Sequence, residues 1–179
     1  MSLFPVPTRD QVSPDNQAIF DNLKKMLGFV PNLYATFANS ATALGTYLSL
    51  QSAKSSLSAK EREVVNLVVS QVNSCEYCLA AHSAMGKMVG FTEAQVLELR
   101  SGHASFDPKF DALARFVREV ADKRGHVGAA DTEAFLKAGY TKGAVVDVIM
   151  VIGDKIISNY LHGVTKVPVD FPAAVKLAA

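Results

Sequence analysis

The sequence predicts an all-α protein, a compact multi-helix bundle, and three observations carry that prediction. Helix-capping patterns recur along the chain, apolar residues fall at i, i+3 and i+4 spacing between them, and no Asn-Gly or Asp-Gly hairpin signal is present. The β-branched pairs Val64-Val65, Val68-Val69 and Val145-Val146 favour strand by propensity. They sit inside runs too long for ordinary strands and behind helical caps, so the pattern overrides the propensity.

The elements follow in order. Ser13 is an N-cap with Pro14 at the first helical position, and Gly28 ends that helix, which carries Ile19, Leu23, Met26 and Leu27. Leu33, Phe37, Leu44, Tyr47 and Leu48 give one or two further helices after Pro31. Ser58 and Glu61 form a capping box, in which each side chain satisfies the other's free backbone N–H; that helix runs through Val72. Asn73-Ser74 breaks it and supplies the cap of the next, which ends near Gly90. Thr92 to Gln95 is a second capping box, with Gly102 as the stop. Asp107-Pro108 opens a helix closed by Gly125, Asp131 to Gly139 is a short helix, and Thr141 begins a long one reaching about Leu161. The tail Val167–Pro172 is extended or irregular, because proline lacks a donor and restricts its neighbour.

Composition narrows the function. The 179 residues suit a single domain, read as 1–179 with a redox core at about 40–125 and a C-terminal helical part at about 126–179. Eighteen basic against 17 acidic residues, with no basic stripe, give no reason to expect nucleic acid or an acidic membrane as partner. Met1 to Asp10 lacks an apolar run of signal-peptide length. The apolar stretch Val145–Ile157 is interrupted by Asp147, Asp154 and Lys155, so it reads as a buried or interface helix and not a membrane span. A cytoplasmic setting, where thiols stay reduced, is the expectation.

The chain has two cysteines, Cys75 and Cys78, three positions apart. A staple closing so short a loop removes little chain entropy, so the pair calls for a chemical explanation. On a helix with about 100° per residue, Cys78 lies about 60° and His82 about 20° from Cys75, on one narrow face. Near a helix N-terminus, free N–H groups and the dipole favour thiolate, the form that attacks a peroxide oxygen or a disulfide sulfur. His82, four residues after Cys78, is placed to take or relay the proton. By pattern alone Glu63 reads as a solvated surface residue, and His103, His126 and His162 show no ligand spacing.

Glu63, eleven residues, Cys75, two residues, Cys78, three residues, His82: this spacing resembles the signature of the alkylhydroperoxidase D-like family, within the carboxymuconolactone decarboxylase superfamily. Leu27–Asn32, Leu57–Glu63, Asn73–His82 with Gly90, Asp111–Leu113, Ala138–Tyr140 and Ser158–Tyr160 resemble its peroxidase-related branch. The resemblance implies the all-α bundle of that family, a homo-oligomer (trimer or hexamer, or dimer), Cys78 as the peroxide-attacking thiolate and Cys75 as the resolving thiol. It also implies that Glu63 and His82 form a proton relay, directly or through water, against the surface reading of Glu63. The best-known branch has a histidine between the cysteines, where this chain has Glu76 and Tyr77. The decarboxylase branch lacks the cysteine pair, so lactone decarboxylation is not implied.

The resulting expectation is an oxidoreductase acting on peroxide. Cys78 becomes a sulfenic acid, Cys75 converts it to a disulfide, and a protein dithiol or dihydrolipoyl group reduces that disulfide, with no metal, haem or flavin required. Two alternatives stand beside it. One is a disulfide reductase or isomerase using the same pair. The other is a metal-binding or redox-sensing module, in which Glu63, Cys75, Cys78 and His82 supply four ligands of the types zinc takes.

Overall fold

A computed structural model describes residues 3–177; Met1 and Ser2, part of the segment read above for a signal, lie outside the described residues. Among the described residues the regular structure is helical throughout. After a 3₁₀ turn at Arg9–Gln11 come α1 (Pro14–Leu27), α2 (Asn32–Phe37), α3 (Ala43–Gln51), α4 (Ala59–Val72), α5 (Glu76–Met88), α6 (Glu93–Arg100), α7 (Pro108–Asp122), α8 (Ala129–Lys137) and α9 (Lys142–Thr165).

Most of the expected caps are formed. Ser13 Oγ accepts from Asn16 N at 3.4 Å, and Gly28 takes the left-handed conformation (φ 84°) that closes α1. Ser58 Oγ accepts from Glu61 N at 3.3 Å, while Ser58 N donates to Glu61 Oε2 at 2.8 Å. Thr92 and Gln95 do the same for α6. Three boundaries differ from the sequence reading. The short helix starts two residues before Asp131, which sits in its first turn and accepts a hydrogen bond from Gly128 N at 3.1 Å. The last helix runs a turn beyond Leu161, to Thr165. The cap of α5 is neither Asn73 nor Ser74 but Cys75, described below.

α4 is the central element, packed against α5, α6, α7 and α9. Its residues from Glu63 to Ser70 are all buried. One apolar cluster joins Val64, Leu67 and Val68 of α4 to Leu99, Leu113, Val117, Phe135 and Val148. A second gathers Phe20, Leu33, Phe37, Leu44, Tyr47 and Val167 around Cys75, Tyr77 and Cys78. α9 buries one side, with Val148, Val151, Ile152, Asp154, Lys155, Ser158 and Asn159. It leaves Val146, Met150, Ile157, Tyr160 and Val164 exposed. Among the described residues no helix is long and apolar enough to cross a membrane.

α2 has no capping side chain of its own. Its free N–H groups are met by distant residues: Asn32 N donates to Asp170 Oδ2 at 2.7 Å, and Leu33 N to the Tyr77 hydroxyl at 3.2 Å. Tyr77 in turn donates to Asp170 Oδ1 at 2.6 Å, and Phe171 packs edge-on against its ring. The extended tail thus straps α2 to the start of α5.

Candidate active site

The turn from α4 to α5 sets the site. Ser74 adopts φ 50°, and Ser74 N and Cys75 N donate to the carbonyls of Gln71 and Ser70 at 3.0 Å each, a Schellman closure of α4. Cys75 then caps α5: its sulfur accepts from Cys78 N at 3.4 Å. One residue therefore ends one helix with its N–H and begins the next with its side chain. This corrects the expectation that both cysteines project from the helix. Cys75 is extended (φ −83°, ψ 99°), and it is the cap geometry that turns its sulfur onto Cys78, with the two Sγ atoms 2.7 Å apart.

The two thiols are unequal. The Cys75 thiol donates to Cys78 Sγ, and this bond, with Lys155, Asn159 and Ser158 around the sulfur, outweighs burial and brings Cys78 down to about 7. The same bond together with burial pushes Cys75 far up. Around neutral pH Cys78 is thus poised between thiol and thiolate, beside a Cys75 that stays protonated.

Beside the pair lies a buried chain of hydrogen-bonded polar groups. His82 Nδ1 is 2.9 Å from Glu63 Oε2, and Glu63 Oε1 accepts from Asn66 Nδ2 at 2.9 Å. Burial pushes Glu63 up, yet His82, Asn66 and Lys155 together hold its carboxyl below the usual range. Glu63 is 5% exposed, so the surface reading of it does not hold, and its carboxylate lies against His82. α4 has no solvent side at that point, because α5 and α9 both cover it.

His82 Nε2 does not face an empty path to the cysteines. Lys155 Nζ sits 3.1 Å from it, and Asp154 Oδ2 lies 3.4 Å from the same ammonium. An ammonium only donates, so Nε2 accepts and Nδ1 carries the proton given to Glu63. The cation bearing directly on Cys78 is therefore Lys155, with His82 and Glu63 behind it. Ser158 and Asn159, one turn further along α9, also favour the Cys78 thiolate, while Ser158 Oγ donates to the Asp154 and Lys155 carbonyls and Asn159 Nδ2 to Ser70 Oγ. Asn159 is itself oriented by Asn73 Nδ2, at 2.9 Å. Asp154, Lys155, Ser158 and Asn159 were not read as site residues from sequence. Their signal was an Asp-Lys interruption in an otherwise apolar helix.

The four-ligand metal set is not assembled. Both ring nitrogens of His82 are engaged, one by an ammonium, and among the described residues no three His, Cys, Asp or Glu side chains converge as metal ligands. His162 packs on Tyr77 and points Nε2 at the Val167 carbonyl, 3.2 Å away, while His103 pairs with Glu98 at 3.0 Å.

A helical bundle with a buried dithiol, one thiol activated and backed by a Glu–His–Lys chain, is the class that fold and site define. Residues 31–123 match the model of the Carboxymuconolactone decarboxylase family, and the chain belongs to that family. The matched segment contains Glu63, both cysteines and His82 but stops short of α9. An uncharacterized peroxidase-related protein from Ralstonia eutropha JMP134, described as an alkylhydroperoxidase AhpD core, shares the fold at TM-score 0.85 and 22% identity, over 94% of this chain and 92% of its own. A peroxidase-related protein from Silicibacter sp. TM1040 does so at 0.82 and 24%, over 93% and 91%. The debrominase Bmp8, in a cysteine-to-alanine variant bound to 2,3,4-tribromopyrrole, superposes at 0.78 and 14%, over 95% and 92%. At these identities the likeness is one of fold. No match was found among curated proteins.

Proposed function

We propose that the protein is a thiol-dependent peroxidase that reduces hydroperoxides through Cys78 and Cys75. The observation that carries this reading is the asymmetry of the pair: Cys78 is tuned toward thiolate at about 7, and its neighbour is a protonated thiol already in contact with it. Cys78 attacks the peroxide and becomes a sulfenic acid; Cys75 displaces water from it and closes the disulfide. Lys155 favours the thiolate, and His82 and Glu63 fix the position of that ammonium and form the relay behind it. A protein dithiol or dihydrolipoyl group then restores the thiols. The near-complete burial of both cysteines favours a slender donor over a flat protein face.

Trapping separates the two roles. Treated with one equivalent of hydroperoxide, Cys75→Ser is expected to gain one oxygen at Cys78, and Cys78→Ser to stay unmodified. Oxidation of Cys78→Ser at the parent rate would reverse the assignment.

The proposal extends to self-association. The exposed face of α9 presents Val146, Met150, Ile157, Tyr160 and Val164, which with Gly153 fall at alternating spacings of four and three without a charge. That is the repeat of a helix–helix seam, and a second copy of the same helix meets it. Sedimentation velocity is expected to find an oligomer that Ile157→Glu dissociates; a monomeric parent would end this part of the reading.

A further inference from the structure

Arg100, the last residue of α6, is 5% exposed, yet no carboxylate among the described residues pairs with its guanidinium. Nε donates to Gln71 Oε1 at 3.0 Å and Nη1 to the Val175 carbonyl at 2.6 Å. Nη2 donates to no described residue, and it is not sealed from solvent. Burial alone acts on the guanidinium and pulls its pKa down, with no anion opposing it. Buried charges are ordinarily paired, because the water that would solvate them is gone. The carbonyls at the end of α6 and at Val175 supply only partial negative charge.

Arg100 lines a pocket of about 90 Å³ between α5, α6 and the tail. Ala80, Ala84, Val96 and Leu97 give it apolar walls, and Pro172–Val175 form the side toward the tail. Lys87 and Glu93 also line it; both are about half exposed and they pair with each other at 3.4 Å, so the net positive charge of the lining is that of Arg100. Ser83, in the α5 wall, is buried with its hydroxyl unpartnered, a second polar group left incomplete at this place. A dry cavity of about 150 Å³ takes benzene, so this one suits a molecule of about four or five heavy atoms.

We propose that this pocket is a binding site for a small monocarboxylate, its carboxylate accepting from Arg100 Nη2 and its short alkyl stem lying on Ala80, Ala84, Val96 and Leu97. One negative charge answers the one unpaired guanidinium, and a charge-assisted bond to a carboxylate is the pairing that arginine makes best. A dianion would bring a charge with no partner, and a neutral molecule would leave Arg100 as it stands. Neither cysteine lines the pocket, nor does Lys155, so the site is separate from the thiol chemistry and stands whether or not the protein reduces peroxides.

The test is urea denaturation of the reduced protein at pH 7 in sodium propionate, with sodium chloride at equal ionic strength and propionamide, which has the same shape without the charge, as comparisons. A molecule that binds only the folded chain raises the midpoint by an amount that grows with its concentration over Kd. Ala84→Leu fills the pocket from the half-buried wall of α5 and leaves Arg100 in place, so each shift is read as parent minus this variant, which cancels general effects of the salt. Propionate is expected to raise the midpoint of the parent above that of Ala84→Leu, and chloride and propionamide to show no such difference. Arg100→Met keeps the stem and removes the charge, and is expected to weaken propionate binding at least about tenfold, the loss of one charged hydrogen bond. Equal shifts in parent and Ala84→Leu overturn the proposal, as does a propionamide shift that matches propionate. A larger difference with inorganic phosphate than with propionate also overturns it, by assigning the pocket to a different anion.

Discussion

Lys155 Nζ lies 3.1 Å from His82 Nε2, although 73 positions separate the two residues in the chain. The contact makes α9 part of a site whose cysteines belong to α5 and whose carboxylate belongs to α4. It also joins three groups in one line, the ammonium against the imidazole and the imidazole against Glu63, and the charge of that ammonium favours the Cys78 thiolate.

The first consequence concerns the thiolate. Lys155→Met keeps most of the side chain's bulk and removes its charge. An opposite charge a few ångströms away is worth about one to three pH units. The midpoint of Cys78 alkylation should therefore rise from about 7 by that amount, measured as iodoacetamide rate against pH. An unmoved midpoint would assign the activation to the Cys75 hydrogen bond alone. The same substitution strands Asp154, and the fold should lose about 3–5 kcal/mol in urea denaturation.

A second consequence concerns acid stability. Glu63 titrates below 4.5 in the folded chain and at about that value when unfolded. Between the two values the unfolded state holds more protons, so stability rises with pH there. The contribution is fully present above 4.5 and is lost as pH falls through the folded value. Glu61 and Asp111 are lowered too, so the difference between parent and Glu63→Gln isolates the buried pair. The variant should be less stable at pH 7 by about 1–3 kcal/mol and should show a shallower loss toward pH 3. Parallel curves for the two proteins would show that the Glu63–His82 contact carries no such linkage.

The third prediction tests the strap over the cysteines. Tyr77→Phe removes a hydroxyl that donates to Asp170 at 2.6 Å and accepts from the buried Leu33 N at 3.2 Å. Leaving that N–H without a partner costs about 1–3 kcal/mol. Hydrogen exchange across residues 167–171 and at Leu33 should accelerate in the variant. Unchanged protection at both places would mean that Phe171 and Val167 hold the tail by packing alone.

How much of this could be read from the chain depended on whether the signal was local. Capping boxes are four-residue patterns, so Ser58 with Glu61 and Thr92 with Gln95 gave helix starts that the structure keeps. The Cys75–Cys78–His82 spacing was equally visible. Glu63 defeated the pattern because helical periodicity presumes a wet side, and α4 has none from Glu63 to Ser70. Cys75 was misplaced because cysteine is not among the usual N-caps and Ser74 beside it is; Ser74 instead takes the left-handed position that closes α4. Asp154 and Lys155 looked like a break in an apolar helix. Their meaning lies in what α9 meets across the bundle, and no spacing within α9 encodes it. The role of Asp170 was hidden in the same way, since its partners Asn32 and Tyr77 lie 138 and 93 positions away.

The most direct test of the central claim is stopped-flow oxidation of the fully reduced protein by ethyl hydroperoxide at pH 7, with mass spectrometry of the product. A Cys78 thiolate activated by Lys155 and Cys75 predicts oxidation well above the free-thiol rate, and a product lighter by two hydrogens with Cys75 and Cys78 joined. Oxidation at the free-thiol rate, with the two cysteines still separate, would contradict it.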